Sequence, residues 1–424
     1  MKHLLIIEST VSGAGYVLFQ RCKELGYRLT FVTRHPEHYT HGMTSRYKQL
    51  EDHPIYLSDE IIVTETNDIQ NLLKRLEQLY GEHPFDGATT LCDYYLKAVS
   101  QVSRHFGLAG NDPDVVDTVM NKGKMRKRGA ELGLPMPGFH LAHTLDEALE
   151  TAQEMDYPLV IKPVDLCGSI HVTCVENPLQ LENAFKELAQ VTHNARKQPR
   201  PMVFLLEEFM CGEEVSVETI SDATGTKVIG ITDKLLTGFP HFIEQGHMFP
   251  ADLPPSQCEI ISSFVTGAFE KFGVQHGVAH TELKLIDKGL RIVEINLRRA
   301  GNRIDRLIHH VTGADLNDEI ILMALGESSS VSFDKPVYHG SAAVEMLVPR
   351  ENGKVVGING LDYLTENPYV VDWEVKVKVG DNIQLATNNN SYMGHVMVYD
   401  PENNNARDQL QAVLETFRID IKSD

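Results

Sequence analysis

The stretch HTELKLIDKGLRIVEIN, His280 to Asn296, constrains the fold more than any other part of the chain. Apolar and polar residues alternate on either side of Asp287-Lys288-Gly289, the pattern of a β-hairpin. A three-residue loop with Gly289 in the left-handed position pairs Ile286 with Leu290, Lys284 with Ile292, Glu282 with Glu294, and His280 with Asn296. One face, with Leu283, Leu285, Val293, Ile295 and Leu297, is then oily and needs a core. The other carries two opposed carboxylates, whose Cβ atoms stand roughly 4.5–5.5 Å apart and repel unless solvent or cations intervene. Asn296 and Arg298 share the face of Glu294 and add a neutral oxygen and a fixed cation. Two carboxylates and an amide oxygen are hard donors suited to Mg²⁺, which takes its other ligands from water and phosphates. The hairpin alone is compatible with a solvated acidic face; with Asn296 and Arg298 beside the acids, the sharper expectation is a magnesium-nucleotide site.

Bulk properties narrow the alternatives. A chain of 424 residues holds two or three domains with substantial cores. The formal net charge of −20 argues against a nucleic-acid surface, which needs clustered Lys and Arg. The first apolar run, Leu4 to Ile7, is a strand rather than a signal peptide, and no run approaches the roughly 18 residues of a membrane span. The expectation is a cytoplasmic protein with no membrane partner. Cys22, Cys92, Cys167, Cys174, Cys211 and Cys258 form no C-x-x-C pair, so reduced thiols are expected.

The first third alternates strands (HLLIIES, RLTFVT, FDGATTL) with helices (YVLFQRCKELG, DIQNLLKRLEQLYG, Tyr94 to His105), which predicts a doubly wound parallel sheet. The first helix should turn Val17, Leu18, Arg21, Cys22 and Leu25 to one side. The glycine loop Ser12 to Gly15 lacks a third glycine, with Leu18 there instead, and the second strand ends FVTRH without a ribose-binding acid; a loop bordering a small-molecule site fits better than a dinucleotide site. A second block, from near Asn111, mixes antiparallel strands with helices that open on the capping boxes Thr144/Glu147 and Ser256/Glu259. From about Ser330 the chain is strand-rich, with a last helix near Ala406 to Phe417. The expected division is an N-terminal α/β domain over 1–115, a central domain over 116–330 with a subdomain at about 125–210, and a C-terminal α+β domain over 331–424.

Lys122 and Lys162, the latter ending the strand LVIK before the turn PVDLCGS, are each able to reach phosphate, with Gly168 and Ser169 offering backbone donors. The series Asn121-Lys122, VIKPVDLCGS, LLEEFMCGEEVSVE and HTELKLIDKGLRIVEINLRRAGNRI resembles the ATP-grasp superfamily over about 180 residues. The segments FIEQGHMFPADLPP and NLRRAGNRI, and the tail SAAVEMLVP to MGHVMVYD, are similar to its L-amino-acid ligase, or carboxylate–amine ligase, branch. The resemblance implies an ATP-grasp fold with a mobile lid and ATP as co-substrate. It implies that Lys122 and Lys162 hold phosphates, that the backbone around Glu207, Glu208, Phe209 and Met210 meets adenine, and that Glu214 meets the ribose. Glu282, Glu294 and Asn296 would bind two Mg²⁺ ions, with Mn²⁺ able to substitute, and Arg298 would face the reacting carboxylate. Asp93 and His247 would line the substrate site, and Gly301 would allow close backbone approach near Arg298; a helix cap and a structural hydrogen bond are the competing roles for Asp93 and His247. The implied reaction joins an amino acid or other carboxylate to an amine through an acyl phosphate, releasing ADP and phosphate. A homodimer is also in keeping with the family. Against that stand a non-catalytic nucleotide-binding protein and an ATP-grasp enzyme with another acceptor, such as a carboxylase or a purine-pathway ligase. The phosphate loop, with Gly168 followed by SIHV, is poorer in glycine than the family pattern, and Arg299 has no implied role.

Overall fold

The structure is a computed structural model, and it describes residues 1–11, 13–40, 52–329 and 337–423. Strands β1 (His3–Ile7), β2 (Arg28–Thr33), β3 (Glu60–Val63) and β4 (Gly87–Thr89) form a parallel sheet in the order β3-β2-β1-β4. Every side chain of β1 is buried, because Leu4 and Ile6 enter one core and Leu5 and Ile7 another. That two-sided burial is what a continuous apolar run implies in a parallel sheet. Gly13–Glu24 is the first helix, so Gly13 and Gly15 belong to its opening turn rather than to a loop, while Ser12 lies outside the described residues. Its buried face is Tyr16, Leu18, Phe19 and Cys22; Arg21 leaves the expected face to pair with Asp318 at 2.7 Å, and Leu25 is exposed.

Next come β5 (Phe139–Ala142), β6 (Leu159–Pro163), β7 (Thr173–Val175) and β8 (Phe204–Glu208), an antiparallel sheet in the order β5-β8-β6-β7. Helices Leu145–Met155 and Pro178–Ala189 pack on one side of it around Leu159, Ile161, Phe185 and Leu206. Thr144 caps the first of these by accepting the Glu147 N–H, as its sequence predicts. The expected cap at Ser256 is not formed: the helix Pro255–Phe272 starts two residues earlier, behind Pro254, which places Ser256 inside its first turn.

The chain then builds β9 (Glu213–Asp222), β10 (Gly225–Thr237), β11 (Ile243–Phe249), β12 (Gly277–Ile286), β13 (Gly289–Asn296) and β14 (Ser341–Met346). The last stretch adds β15 (Gly353–Asn359), β16 (Val370–Val375), β17 (Asn382–Ile383), β18 (Gly394–Asp400) and β19 (Arg418–Ser423). One antiparallel sheet runs β13-β12-β9-β10-β11-β14-β18-β16, so strands of the C-terminal third extend the central sheet edge to edge. A small second sheet, β17-β15-β19, was not legible in the sequence.

Two of the bulges in the central sheet fix the register of strands that carry the polar face. At the β12–β13 hairpin the loop holds two residues, not three, and Ile286 pairs with Gly289, Lys284 with Arg291 and Leu283 with Ile292. Val293 then bulges, and Glu282 meets Glu294 and His280 meets Asn296. Ile292, not Val293, is the fully buried residue, and the Val293 carbonyl accepts a hydrogen bond from Arg126 Nη2 at 2.8 Å. Likewise Ile229 bulges between Val228 and Gly230 of β10, and its carbonyl accepts from Tyr338 Oη at 3.0 Å. In both places the carbonyl released from the ladder is satisfied from outside the sheet.

Candidate active site

On the polar face of the central sheet, cross-strand pairing fixes which side chains are neighbours. Glu294 of β13 pairs with Glu282 of β12, which pairs with Ser216 of β9; one step along, Lys284 pairs with Glu214, which pairs with Lys234 of β10, which pairs with His247 of β11. Above this face, closed by β6, β8 and the loop after β6, lies a cleft of about 790 Å³. Its lining includes Lys122, Lys162, Gly168, Ser169, Glu207 to Met210, Glu214, Glu282 and Glu294, so the structure gathers the sequence-predicted nucleotide residues in one place. Its apolar end is made by Val160, Leu236, Phe209 and Phe242, the two rings 6.3 Å apart and tilted by 36°, apolar surface against which a planar base can pack.

The opposed carboxylates meet the protein's own cations. Lys122 Nζ stands 2.8 Å from Glu294 Oε2, and Lys234 Nζ stands 2.9 Å from Glu282 Oε2 and 2.7 Å from Glu214 Oε1. The second oxygen of Glu282 faces His280 Nε2 at 3.1 Å, and that of Glu294 accepts from Asn296 Nδ2 at 2.8 Å. Burial alone would lift the Glu294 carboxyl, but Lys122 outweighs it and holds the group well below the usual carboxylate range. Lys234 is raised well above its ordinary value: burial opposes its charge, and Glu214, Glu244 and Glu282 more than offset that. His280, buried between Glu218 and Glu282, is pushed up to about 10 against the opposing effect of burial. At the cleft floor, Lys162 Nζ lies 2.5 Å from Glu207 Oε2, while Arg126, with no exposed surface, pairs with the other oxygen of Glu207. Burial would raise Glu207, yet Arg126 and Lys162 hold it low; burial dominates for Lys162, whose pKa is lowered.

The remaining predicted residues lie beyond the cleft lining. Asp93, opening a short turn after β4, accepts from Arg298 Nε at 2.8 Å, so these two are paired across the boundary with the N-terminal sheet. His247 Nε2 stands 3.2 Å from Glu244 Oε2, off the hydrogen-bond direction, and Nδ1 contacts the Asp233 carbonyl at 3.2 Å. Asn296 is buried and points its amide nitrogen at Glu294. Gly301 is exposed, and a Cβ built there meets nothing within 4 Å, so no protein atom demands glycine at that position. Arg299 is structural: its Nη1 pairs with Asp305 Oδ2 at 2.9 Å at the start of helix Ile304–Thr312.

Lys234, Glu244, Arg126 and Glu218 were not picked out by the sequence. Lys234 is buried among three glutamates, and Glu244 bridges the cleft and His247, accepting from Asn302 Nδ2 at 2.6 Å. Among the described residues there is no preformed group of three or more His, Cys, Asp or Glu side chains set to hold a metal ion. Glu282 and Glu294 nevertheless fit a hard divalent cation in donor type and in their opposed register. Among the described residues no helix is long and apolar enough to cross a membrane, and the six cysteines are free thiols.

Comparison with known proteins agrees with this arrangement. Residues 155–305 match the ATP-grasp domain, and residues 345–422 match the L-amino acid ligase C-terminal domain 2. An uncharacterised protein of Sinorhizobium fredii is 26% identical over 417 residues, covering 98% of this chain and 82% of that one. Alanine–anticapsin ligase of Bacillus subtilis is 23% identical over 331 residues, 72% of this chain and 69% of the relative. The crystal structure of an L-amino acid ligase from Bacillus licheniformis superimposes with a TM-score of 0.79 at 23% identity, covering 100% of this chain and 99% of that one, which shows a shared fold. The chain therefore carries an ATP-grasp domain followed by an L-amino acid ligase C-terminal domain.

Proposed function

We propose that the protein is an ATP-dependent carboxylate–amine ligase that activates an amino-acid carboxylate as its acyl phosphate and couples it to an amine, most simply a second amino acid. The observation that carries this reading is the charge balance of the cleft: Lys122, Lys234 and His280 occupy the oxygens of Glu282 and Glu294 that a metal would need. When a triphosphate enters, the lysines turn to phosphate oxygens and the acids lose their partners, a state that is costly when buried unless another cation replaces them. Glu282, Glu294 and Asn296 would hold that cation, Mg²⁺, which supplies charge neutralisation to the phosphates when bound.

In this reading the apolar surface of Phe209 and Phe242 takes adenine, Glu214 takes the ribose hydroxyls, and Lys122 and Lys162 hold the phosphates. The carboxylate oxygen of the first substrate attacks the γ-phosphorus and ADP leaves; the amine nitrogen then attacks the acyl carbon and phosphate leaves. Arg298, held by Asp93, offsets the negative charge that gathers in both steps. Glu244 and His247 border the place where the carboxylate substrate sits. The domain division near 115 and 330, with the β5–β8 unit as a lid that excludes water, belongs to the same proposal. The test is an ATP-consumption screen over pairs of amino acids with mass spectrometry of the products. ADP formation that requires both a carboxylate and an amine, with an amide of matching mass, is expected. A screen without any pair-dependent ADP would sink the reading.

A further inference from the structure

The C-terminal third reaches the cleft through one short turn. Asn389–Ser391 is a single 3₁₀ turn capped by Asn388, whose side chain accepts the Asn390 N–H. The Asn389 N–H donates to the Gly168 carbonyl at 3.3 Å, on the loop that follows β6. The Asn389 side chain faces β11 instead: Oδ1 accepts the Glu244 N–H at 3.1 Å, and Nδ2 donates to Glu244 Oε1 at 3.2 Å. Tyr392 Oη donates to the Glu244 carbonyl at 2.8 Å. Glu244 is thus held at its N–H, its carbonyl and its carboxylate by a turn that also touches the loop over the cleft.

The loop needs such a contact. Gly168, Ser169 and His171 have φ of +71°, +56° and +56°, left-handed conformations that Ser and His adopt only at a cost. A backbone of this kind keeps its shape when neighbours hold it. Glu244, at the other end of the link, lies 3.6 Å from Lys234 and 3.2 Å from His247, between the nucleotide cleft and the pocket assigned above to the carboxylate substrate.

We infer that Asn389 is a positioning residue that couples the closed form of the loop at Gly168 to the placement of Glu244, so that the carboxylate pocket is complete only while the nucleotide is covered. The role of the pocket rests on the ligase reading above; the mechanical link does not. An acyl phosphate formed beside an incomplete pocket would be lost to water, so the link ties ATP use to amide formation.

Two variants test it. Asn389→Ala keeps the backbone N–H toward Gly168 and removes both side-chain contacts to Glu244. Asn389→Pro also removes that N–H, at a turn position compatible with proline and after an extended Asn388 (φ −162°, ψ 174°). The first readout is amide hydrogen exchange at Glu244 and across 165–171, with and without a non-hydrolysable ATP analogue and Mg²⁺. In the unaltered protein the analogue should slow both segments together. In Asn389→Ala the Glu244 amide should exchange about three- to tenfold faster and lose its response to the analogue, while the loop still responds; in Asn389→Pro the loop response should also shrink. Unchanged exchange at Glu244 in Asn389→Ala, or no analogue response at Glu244 in the unaltered protein, would overturn the link. The second readout, on any productive pair, is ATP consumed per amide formed, expected to rise about three- to tenfold in Asn389→Ala with the KM for ATP little changed; an unchanged ratio would overturn the coupling role. Coupled exchange without amide formation from any pair would remove the ligase reading and leave the link standing.

Discussion

The buried carboxylate of Glu8 at the end of β1 and the pair Glu282 and Glu294 on the central sheet are satisfied in different ways. Glu8, at the end of β1 with a φ of +54°, accepts from Thr33 Oγ1 at 2.9 Å, Thr66 Oγ1 at 2.7 Å, the Arg34 N–H at 2.8 Å and the Tyr39 hydroxyl. All four donors are neutral groups fixed by the fold. Across this same edge, Arg196 donates to the Ser9 carbonyl and lies 5.4 Å over the Tyr39 ring. Glu282 and Glu294, by contrast, are met by the long side chains of Lys122 and Lys234 and by His280. Donors built into the backbone and short hydroxyls have nowhere else to go, whereas lysine ammonium groups can turn to a phosphate. On the ligase reading, the first holds the structure together and the second pair is exchangeable.

Substitutions separate these roles. Glu294→Gln or Arg298→Ala should cut turnover by about a thousandfold or more while circular dichroism shows the protein still folded; near-normal turnover in both would break the contrast. Arg126 sits in the cleft floor yet behaves as the fixed kind, since Arg126→Met leaves Glu207 buried beside one fewer cation. It should cost about 3–5 kcal/mol in urea denaturation. Tyr39→Phe removes one donor from Glu8 and should cost about 1–3 kcal/mol of stability with no change in the KM for ATP. At the loop, Ser169→Gly relieves a left-handed residue. It should raise stability by roughly 1 kcal/mol, read as a small rise in Tm.

A pH series gives the finest discrimination. His280 is pushed from 6.5 to about 10 in the folded protein. Because the folded value lies above the unfolded one, its contribution is complete below pH 6.5 and is lost as pH climbs through about 10. Thermal denaturation between these limits should show falling Tm in the unaltered protein and a flatter profile in Glu218→Gln, which removes a carboxylate facing His280. Identical profiles would mean that the buried pair does not govern the alkaline limb.

How far the sequence revealed these sites follows from which features are local. The parallel sheet was legible because β1 is an unbroken apolar run and the helices repeat at the right period. The meeting of Glu282 and Glu294 was also legible, but by a different route: the expected three-residue loop and the observed two-residue loop plus Val293 bulge give the same pairing at the acids. Lys234 stayed hidden for a related reason. Counting back from the Asp222–Gly225 turn without a bulge opposes it to Glu213, and only the extra residue Ile229 brings it opposite Glu214. Nothing in the local pattern of KVIGITDKLLT announces that step. Arg126, in a run of basic residues that reads as solvated surface, is buried because it reaches a glutamate 81 positions away.

The bulges at Ile229 and Val293 also act as expansion joints. Each lies between a hairpin's outer tip and the site-bearing part of its strands, and each has an outside donor gripping its carbonyl, from Tyr338 and Arg126 respectively. Ladder rungs on the tip side and on the cleft side are thereby indexed independently, so the outer turn can be reshaped without rotating Glu214, Lys234, Glu282 or Glu294 out of the cleft. Deleting Val293 would leave Glu294 opposite Glu282 but strand the Arg126 guanidinium without its acceptor, so a shortening by one residue would cost stability at the cleft floor while the register of the acids survives.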